Sequence, residues 1–290
     1  MSVPTAGDGE GLTVLLCQVD LVWEDKSATF AKVCGLVRAA GPPPGSLIVL
    51  PEMFATGFSM NHAAIAEAPR GETEAFLREL AEETKSCVLG GLIAVEDGAP
   101  RNQALALAPT GEVLARYSKQ RPFSLANEDA HYPAGDETVV FDWAGFRIAP
   151  FVCYDLRFPE LFRAAVAKGA TLFAVIANWP IAREAHWLTL LEARAIENQA
   201  CVLGVNRSGD DPHFHYGGRS VAVDPHGLIV ACRRPRGHRH RENQSRSCGR
   251  LARPLPCAAR RRAGVMSRNR KPGAARGTRA FLTHHCQCCR

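Results

Sequence analysis

The feature that most constrains the fold is a regular alternation between short apolar runs and longer amphipathic stretches. Residues 13–19, 47–50 and 172–177 are rich in Val, Ile and Leu and have the length of buried strands. Residues 72–84 and 184–199 carry apolar side chains at helical spacing and lie between such runs. Because this alternation continues to about residue 230, it predicts an α/β fold in which helices cover sheets.

The charge is divided unevenly along the chain, and this division indicates a domain boundary. Residues 231–290 hold 17 of the 35 Lys and Arg residues and one of the 29 Asp and Glu residues, so the formal charge is +16 there and −10 in residues 1–230. The same segment has one aromatic residue and no strand or helix periodicity. We therefore predict a folded domain over residues 11–230 and a disordered Arg- and Cys-rich tail over residues 231–290, since few apolar side chains cannot offset the entropy of ordering the backbone.

The sequence also bears on where the chain resides. No window approaches 18 consecutive apolar residues, so we expect no transmembrane helix. Residues 1–10 lack the basic and apolar regions of a secretory signal. We expect a cytoplasmic protein whose cysteines stay reduced.

Three chemically capable residues stand where predicted strands end. Glu52 follows the run 47–50, Lys119 follows the strand that contains Tyr117, and Cys153 closes an apolar strand before a predicted helix. Each has an ordinary structural interpretation, respectively an ion-paired or helix-capping glutamate, a solvated lysine and a buried structural cysteine. The alternative is chemical, because a buried carboxylate needs a partner or a task and a nearby helix N-terminus favours a thiolate.

Taken together, these segments resemble the carbon–nitrogen hydrolase (nitrilase) superfamily with its Glu-Lys-Cys triad. The resemblance covers residues 12–229 and rests on Leu50-Pro51-Glu52, Tyr117-Ser118-Lys119 and the run from Cys153 to Glu160. Further segments are most similar to the bacterial omega-amidase branch: residues 51–60, 177–180, 186–187, 193–199 and 204–207.

The resemblance implies a four-layer αββα sandwich that assembles as a homodimer, and it assigns roles to site residues. Cys153 would be the nucleophile, Glu52 the general base and Lys119 the group that holds the oxyanion. Glu128 would orient the substrate amide and support Lys119. The backbone N–H of Tyr154 is a second candidate oxyanion donor.

Elementary chemistry agrees with these roles. A thiol is only partly ionised at neutral pH and needs an adjacent base, and Glu52 can serve if partial burial and Cys153 raise its pKa. Ammonia would leave, and water would then hydrolyse the thioester. No cofactor or metal is needed. Trp179, at a predicted strand end, either lines the pocket or packs in the core, and the sequence leaves both open.

Polar residues near the nucleophile have structural interpretations. We expect Asp155 and Arg157 to brace the turn after Cys153 by hydrogen bonds and ion pairing. Arg194 and Glu197 are three residues apart on a predicted helix, which favours a structural ion pair.

The predicted function is hydrolysis of the terminal amide of small dicarboxylic acid monoamides, such as α-ketoglutaramate or α-ketosuccinamate. One alternative is a nitrilase or another hydrolase of small amides or N-carbamoyl compounds. A second, from a different class, is a non-enzymatic protein whose basic tail binds nucleic acid or metal. The tail has no interleaved aromatic residues, and the spacing in Cys286-Gln287-Cys288-Cys289 matches no standard zinc motif.

We therefore expect a small-molecule amide as partner, and neither nucleic acid nor membrane. The composition of the tail is typical of GC-rich coding DNA that is read out of frame, and a shifted reading frame is our interpretation of it.

Overall fold

The computed structural model describes residues 11–232 and the backbone of residues 248–250, and all of these lie in the unit Met1–Cys257. In these residues the helices are α1 (Lys26–Ala40), α2 (His62–Ile65), α3 (Glu72–Thr84), α4 (Pro159–Ala167) and α5 (Glu184–Asn198). The strands are β1 (Thr13–Leu16), β2 (Leu47–Val49), β3 (Cys87–Glu96), β4 (Ala99–Leu107), β5 (Val113–Ser118), β6 (Phe141–Trp143), β7 (Phe146–Val152), β8 (Leu172–Ala177), β9 (Cys201–Asn206), β10 (Ser208–Asp210), β11 (His215–Gly217), β12 (Val221–Val223), β13 (Ile229–Cys232) and β14 (Cys248–Arg250).

The strands form two six-stranded sheets and one small hairpin. The first sheet has the order β14-β1-β2-β3-β4-β5, and the second has the order β13-β12-β9-β8-β7-β6. Strands β1, β2 and β3 are parallel to one another, as are β7, β8 and β9. Every other neighbouring pair in the two sheets is antiparallel: β14–β1, β3–β4 and β4–β5 in the first sheet, and β6–β7, β9–β12 and β12–β13 in the second. Strands β10 and β11 pair with each other.

Side-chain alternation along the strands builds four layers. In β1, Val14 and Leu16 belong to the apolar cluster between the two sheets, whereas Leu15 belongs to the cluster under α1 and α3. Helices α4 and α5 pack on the other side of the second sheet through side chains that include Phe162 and Trp187. The architecture is the predicted four-layer αββα sandwich, since each sheet buries one face against helices and the other against its partner sheet.

Only small parts of the predicted tail are among the described residues. Residues 231–232 complete β13, and β14 pairs antiparallel with β1, with Thr13 opposite Arg250. These residues form strands although the sequence shows no periodicity there. Backbone pairing requires no apolar pattern, because the hydrogen bonds between β14 and the edge of β1 join main-chain N–H and C=O groups. The predicted disorder of the remaining tail lies outside the described residues, and the two domain boundaries stay predictions.

The fold brings several strand ends to one place. Strand β5 runs in the same direction as β2, because two antiparallel steps through β4 separate it from β3. Residues that follow the carboxyl ends of β2, β5, β7 and β8 therefore meet at one edge of the sandwich, between the sheets. Among residues 11–232, none of the helices combines the length and hydrophobicity that a membrane crossing requires.

Candidate active site

Cys153 lies on a sharp turn between β7 and α4. It is the first residue of a 3₁₀ turn, Cys153–Arg157, and its φ of +47° is in the left-handed region that non-glycine residues rarely adopt. The buried carboxylate of Asp155 holds this turn, because it accepts hydrogen bonds from the N–H of Val152 (2.9 Å), the N–H of Arg121 (2.9 Å) and the hydroxyl of Tyr117 (2.8 Å). Asp155 thus braces the turn as expected.

The two arginines near the turn behave differently. Arg194 forms the predicted pair with Glu197 at 2.9 Å, and it also donates two hydrogen bonds to the carbonyl of Leu156, at 3.1 and 2.7 Å. Arg157 was expected to brace the turn by hydrogen bonds and ion pairing, but it forms no ion pair within residues 11–232. Its Nη2 lies 3.2 Å from His186 Nδ1, and its guanidinium carbon lies 5.0 Å from the centre of the Trp179 ring, at the pocket.

Three charged residues form a buried cluster beside Cys153. Lys119 Nζ is 2.8 Å from Glu52 Oε1, and 3.0 and 2.8 Å from the two carboxylate oxygens of Glu128. Both glutamates are fully buried, and Lys119 is 2% exposed, so the ordinary interpretation of a solvated lysine does not hold. The backbone of Glu52 lies directly against Gly91, and only glycine fits there, since a Cβ on residue 91 would lie 2.6 Å from the Glu52 Cα.

Two asparagines complete the cluster. Asn102 Nδ2 donates to Glu52 Oε1 and to Glu128 Oε1, at 2.8 Å each. Asn178 donates to Glu52 three times: from its backbone N–H to Oε2 at 2.9 Å, and from Nδ2 to the backbone carbonyl at 2.7 Å and to Oε2 at 3.3 Å. The Glu52 carboxylate is therefore fixed by residues of both sheets.

The ionisation of the site follows from burial and from Lys119. Burial raises the pKa of Cys153 well above its ordinary value, and the Glu52 carboxylate raises it further. Burial alone would raise the pKa of Glu52, but the charge and hydrogen bonds of Lys119 outweigh it, and the pKa is lowered. The pKa of Lys119 is raised because Glu128 and Glu52 outweigh its own burial. The condition stated for Glu52 from the sequence, a raised pKa, is therefore not met, because Lys119 lies within hydrogen-bond distance of its carboxylate.

A pocket of about 400 Å³ opens above Cys153, and the residue as a whole is 9% exposed. Its sulfur lies 3.9 Å from the carbonyl oxygen of Asn178. Trp179 satisfies both interpretations that the sequence left open. It lines the pocket, and it also packs against Trp187 with ring centres 5.5 Å apart. The lining residues are Phe58, Phe123, Cys153, Tyr154, Arg157, Asn178, Trp179, Pro180, Arg183, Phe214 and Tyr216.

The hairpin of β10 and β11 supplies one wall of the pocket. Tyr216 donates its hydroxyl to Asp211 Oδ2 at 2.5 Å, and the fully buried Arg207 lies against the Tyr216 ring, 4.4 Å from its centre. Asp211 also accepts from the N–H groups of His213 and Phe214, at 2.7 Å each. These contacts fix Phe214 and Tyr216 at the pocket wall.

Sequence reasoning missed several of these residues. Asn102 stands between Arg101 and Gln103 in β4, so its polar character does not distinguish it from its neighbours and gives no local signal. No local signal marks Arg183 or the residues of the β10–β11 hairpin. Among residues 11–232 no group of three or more His, Cys, Asp or Glu side chains could hold a metal ion, and the Cys286–Cys289 segment lies outside the described residues.

Comparisons with known proteins identify relatives over most of the chain. A family model described as carbon–nitrogen hydrolase matches residues 13–237. Omega-amidase YafV of Yersinia enterocolitica is 45% identical over 227 residues, covering 77% of this chain and 86% of the relative. The 2-oxoglutaramate amidase of Bacillus subtilis (strain 168) is 33% identical over 187 residues, covering 64% of this chain and 72% of the relative.

A solved structure gives the same result. XC1258 from Xanthomonas campestris, a CN-hydrolase superfamily protein with an arsenic adduct in its active site, matches with a TM-score of 0.74 at 35% identity, over 78% of this chain and 87% of that chain. Family model, sequence relatives and fold agree, and the chain belongs to the carbon–nitrogen hydrolase family of amide-hydrolysing enzymes.

Proposed function

We propose that the enzyme hydrolyses the terminal amide of small dicarboxylic acid monoamides, with Cys153 as nucleophile, Glu52 as general base and Lys119 as oxyanion partner. The observation that carries this proposal is the position of Cys153, where the pocket meets the buried cluster of Glu52, Lys119 and Glu128. A substrate carbonyl that reaches the sulfur of Cys153 comes close to this cluster, because the charges of Glu52, Lys119 and Glu128 all act on the Cys153 thiol.

The first step couples proton transfer to attack. At rest the thiol is protonated and Glu52 is ionised, because the pKa of Cys153 is raised and that of Glu52 is lowered. Transfer of the thiol proton to Glu52 before attack is therefore unfavourable. As the sulfur attacks the carbonyl carbon, the S–H bond breaks and the proton passes to Glu52. Negative charge moves to the carbonyl oxygen, where Lys119 and the backbone N–H of Tyr154 stabilise it.

The following steps regenerate the enzyme. Protonated Glu52 gives its proton to the amide nitrogen, the C–N bond breaks, ammonia leaves and a thioester to Cys153 remains. Glu52 then takes a proton from water, the hydroxide oxygen attacks the thioester, and the C–S bond breaks. The products are the carboxylic acid and the thiol of Cys153, which recovers the proton from Glu52.

Glu128 acts through position and charge. It bonds Lys119 with both carboxylate oxygens, so it fixes the ammonium group that faces the developing oxyanion. Its second partners are Asn102 and the N–H of Phe123, and Phe123 lines the pocket. We infer that Glu128 orients the substrate amide through the same contacts.

Two observations favour a substrate with a carboxylate. Two of the relatives are named omega-amidase YafV and 2-oxoglutaramate amidase. In addition, Arg157 lines the pocket, four positions after the nucleophile, between the rings of Tyr154 and Trp179. A guanidinium in an apolar pocket matches a carboxylate at the end of the substrate opposite the amide.

We also infer that the enzyme is a cytoplasmic homodimer. Its thiol nucleophile must stay reduced, which the cytoplasm favours. Ile196 of α5 lies near Gly227, and the neighbouring Leu228, Ile229 and Val230 are 64, 40 and 49% exposed. This apolar patch is suited to a second copy, and sedimentation of the full chain tests it: a monomer at micromolar concentration refutes the dimer.

The activity is tested by ammonia release from a panel of amides and nitriles. We expect turnover of dicarboxylic acid monoamides and none by Cys153→Ala. Cys34→Ala, which removes a thiol from α1, is the matched control and should keep full activity. Turnover by Cys153→Ala would refute the thiol mechanism, and exclusive turnover of nitriles would refute the amidase proposal.

A further inference from the structure

A second guanidinium, that of Arg183, lines the pocket. Arg183 ends the 3₁₀ turn Ile181–Arg183 directly before α5. The indole N–H of Trp179 donates to its backbone carbonyl at 2.8 Å, and its guanidinium carbon lies 5.4 Å from the centre of the Phe123 ring. Backbone and side chain are thus both held by pocket residues.

The surroundings of Arg183 differ from those of an ordinary solvated arginine. Its side chain is only half-exposed, and it forms no ion pair within residues 11–232. The neighbouring Glu184 pairs instead with Arg219, at 3.7 Å. The positive charge of Arg183 is therefore directed to a pocket whose other walls are mostly aromatic, where water screens it less than on an open surface.

Arg157 places a second positive charge in the same pocket. Its guanidinium lies against the Tyr154 ring, and the Tyr154 ring contacts Phe123, on which Arg183 rests, with ring centres 4.9 Å apart. Like charges in one pocket repel each other, and an anion that binds both of them relieves this repulsion. Among the described residues no carboxylate side chain lines this pocket, so a carboxylate of the ligand would supply the negative charge that the pocket lacks.

We propose that Arg183 is a specificity-determining residue that binds the carboxylate of the substrate together with Arg157. The inference rests on the proposed function, and it adds Arg183 to the residues that bind the substrate and a preference for amides that carry a carboxylate. Amides that end in a carboxylate gain a charge-assisted contact that neutral amides of the same length cannot form. Arg183 does not touch the reacting atoms, so it changes substrate choice and leaves the chemistry at Cys153 unaltered.

The test compares two four-carbon amides, succinamate and butyramide, which differ in the presence of the terminal carboxylate. We expect Arg183→Gln to lower kcat/KM for succinamate roughly tenfold or more, the scale of one hydrogen bond to a charged group, mainly through KM. Turnover of butyramide should stay within about twofold, which also shows that the variant folds. Arg183→Lys keeps the positive charge but loses the planar guanidinium, so its kcat/KM for succinamate should lie between the values of the wild-type enzyme and Arg183→Gln.

Arg38→Gln is the matched control, because it removes an exposed arginine from α1 and should leave both substrates unchanged. Equal losses on both amides, or no loss on succinamate, overturn the role of Arg183. If the wild-type enzyme releases ammonia from neither amide, the proposed function itself fails. If it hydrolyses both and Arg183→Gln leaves their ratio unchanged, the proposed function stands and only the inference about Arg183 falls.

Discussion

Replacement of Glu128 by Gln changes one atom, and the structure shows why that atom matters. Oε1 of Glu128 accepts from Asn102 Nδ2 (2.8 Å) and Lys119 Nζ (3.0 Å), and Oε2 accepts from Lys119 Nζ (2.8 Å) and the N–H of Phe123 (2.6 Å). All four contacts come from donors. Whichever oxygen becomes the NH₂ group of Gln, that group faces two donors and no acceptor.

Rotation of neighbours relieves this conflict only in part. Asn102 could turn its amide to offer an oxygen to the new NH₂ group, but it would then lose its hydrogen bond to Glu52. Lys119 would keep a single carboxylate partner, Glu52, in a site closed to water. Two hydrogen bonds to charged groups are lost, at about 1.5–3 kcal/mol each. We therefore expect Glu128→Gln to lower the free energy of unfolding by about 3–5 kcal/mol, the range for breaking a buried ion pair.

Activity should fall further than stability explains. Lys119 loses the group that fixes its ammonium, and loss of an oxyanion contact lowers kcat on the order of 10²-fold or more. The assay combines urea unfolding with ammonia release, expressed per folded molecule. Glu160→Gln is the control. The Glu160 side chain is 56% exposed, and its ion pair with Arg121 is long, at 3.5 Å, so removal of its charge should lower the free energy of unfolding by less than about 0.5 kcal/mol. Normal kcat per folded molecule in Glu128→Gln would show that Glu128 is structural only, and unchanged stability would refute the hydrogen-bond reasoning.

Three other predictions use separate parts of the site. Burial, and after it the charge of Glu52, raise the pKa of Cys153, so the rate at which the thiol is alkylated should still increase above pH 9. Glu52→Gln should shift this increase to lower pH. A rate that is already constant near pH 7 in the wild-type enzyme would contradict the raised pKa. Tyr216→Phe removes the hydrogen bond from the Tyr216 hydroxyl to Asp211, and it should raise KM severalfold while kcat stays nearly unchanged. A lower kcat with an unchanged KM would contradict the interpretation that Tyr216 only shapes the pocket wall. Burial raises the pKa of Asp155 to about 6 from 3.8, so its contribution to stability falls as pH rises between those values. Urea unfolding should then show a greater loss for Asp155→Asn at pH 4.5 than at pH 7.5, and equal losses count against it.

The sequence predicted the fold well where local chemistry marks element boundaries. The predicted helix 72–84 is α3 of the structure, and the predicted helix 184–199 is α5 with one residue fewer at its end. Gly41 ends α1 in the left-handed conformation, which its lack of a side chain permits. Strand β14 was not predicted, because its pairing with β1 depends on an available strand edge and not on the pattern of its own residues.

The site residues that the sequence singled out stand at strand ends, whereas those it missed depend on distances between elements. Glu52, Lys119 and Cys153 follow strands, and the fold places Glu52 and Lys119 in direct contact beside Cys153. The lowered pKa of Glu52 depends on that contact across the first sheet, which no sequence pattern encodes. Arg183 was likewise missed, because only the packing of the 3₁₀ turn against Phe123 shows that it lines the pocket.

The hydrogen bonds between Asn178 and Glu52 also govern when the enzyme can become active during its synthesis. They join residues 126 positions apart, one after a strand of each sheet. A ribosome that has passed β7 and Cys153 has already made Glu52 and Lys119, but it has not yet made Asn178, which fixes the Glu52 carboxylate. On the proposed mechanism we therefore expect the nascent chain to hydrolyse no amide until the second sheet has docked on the first.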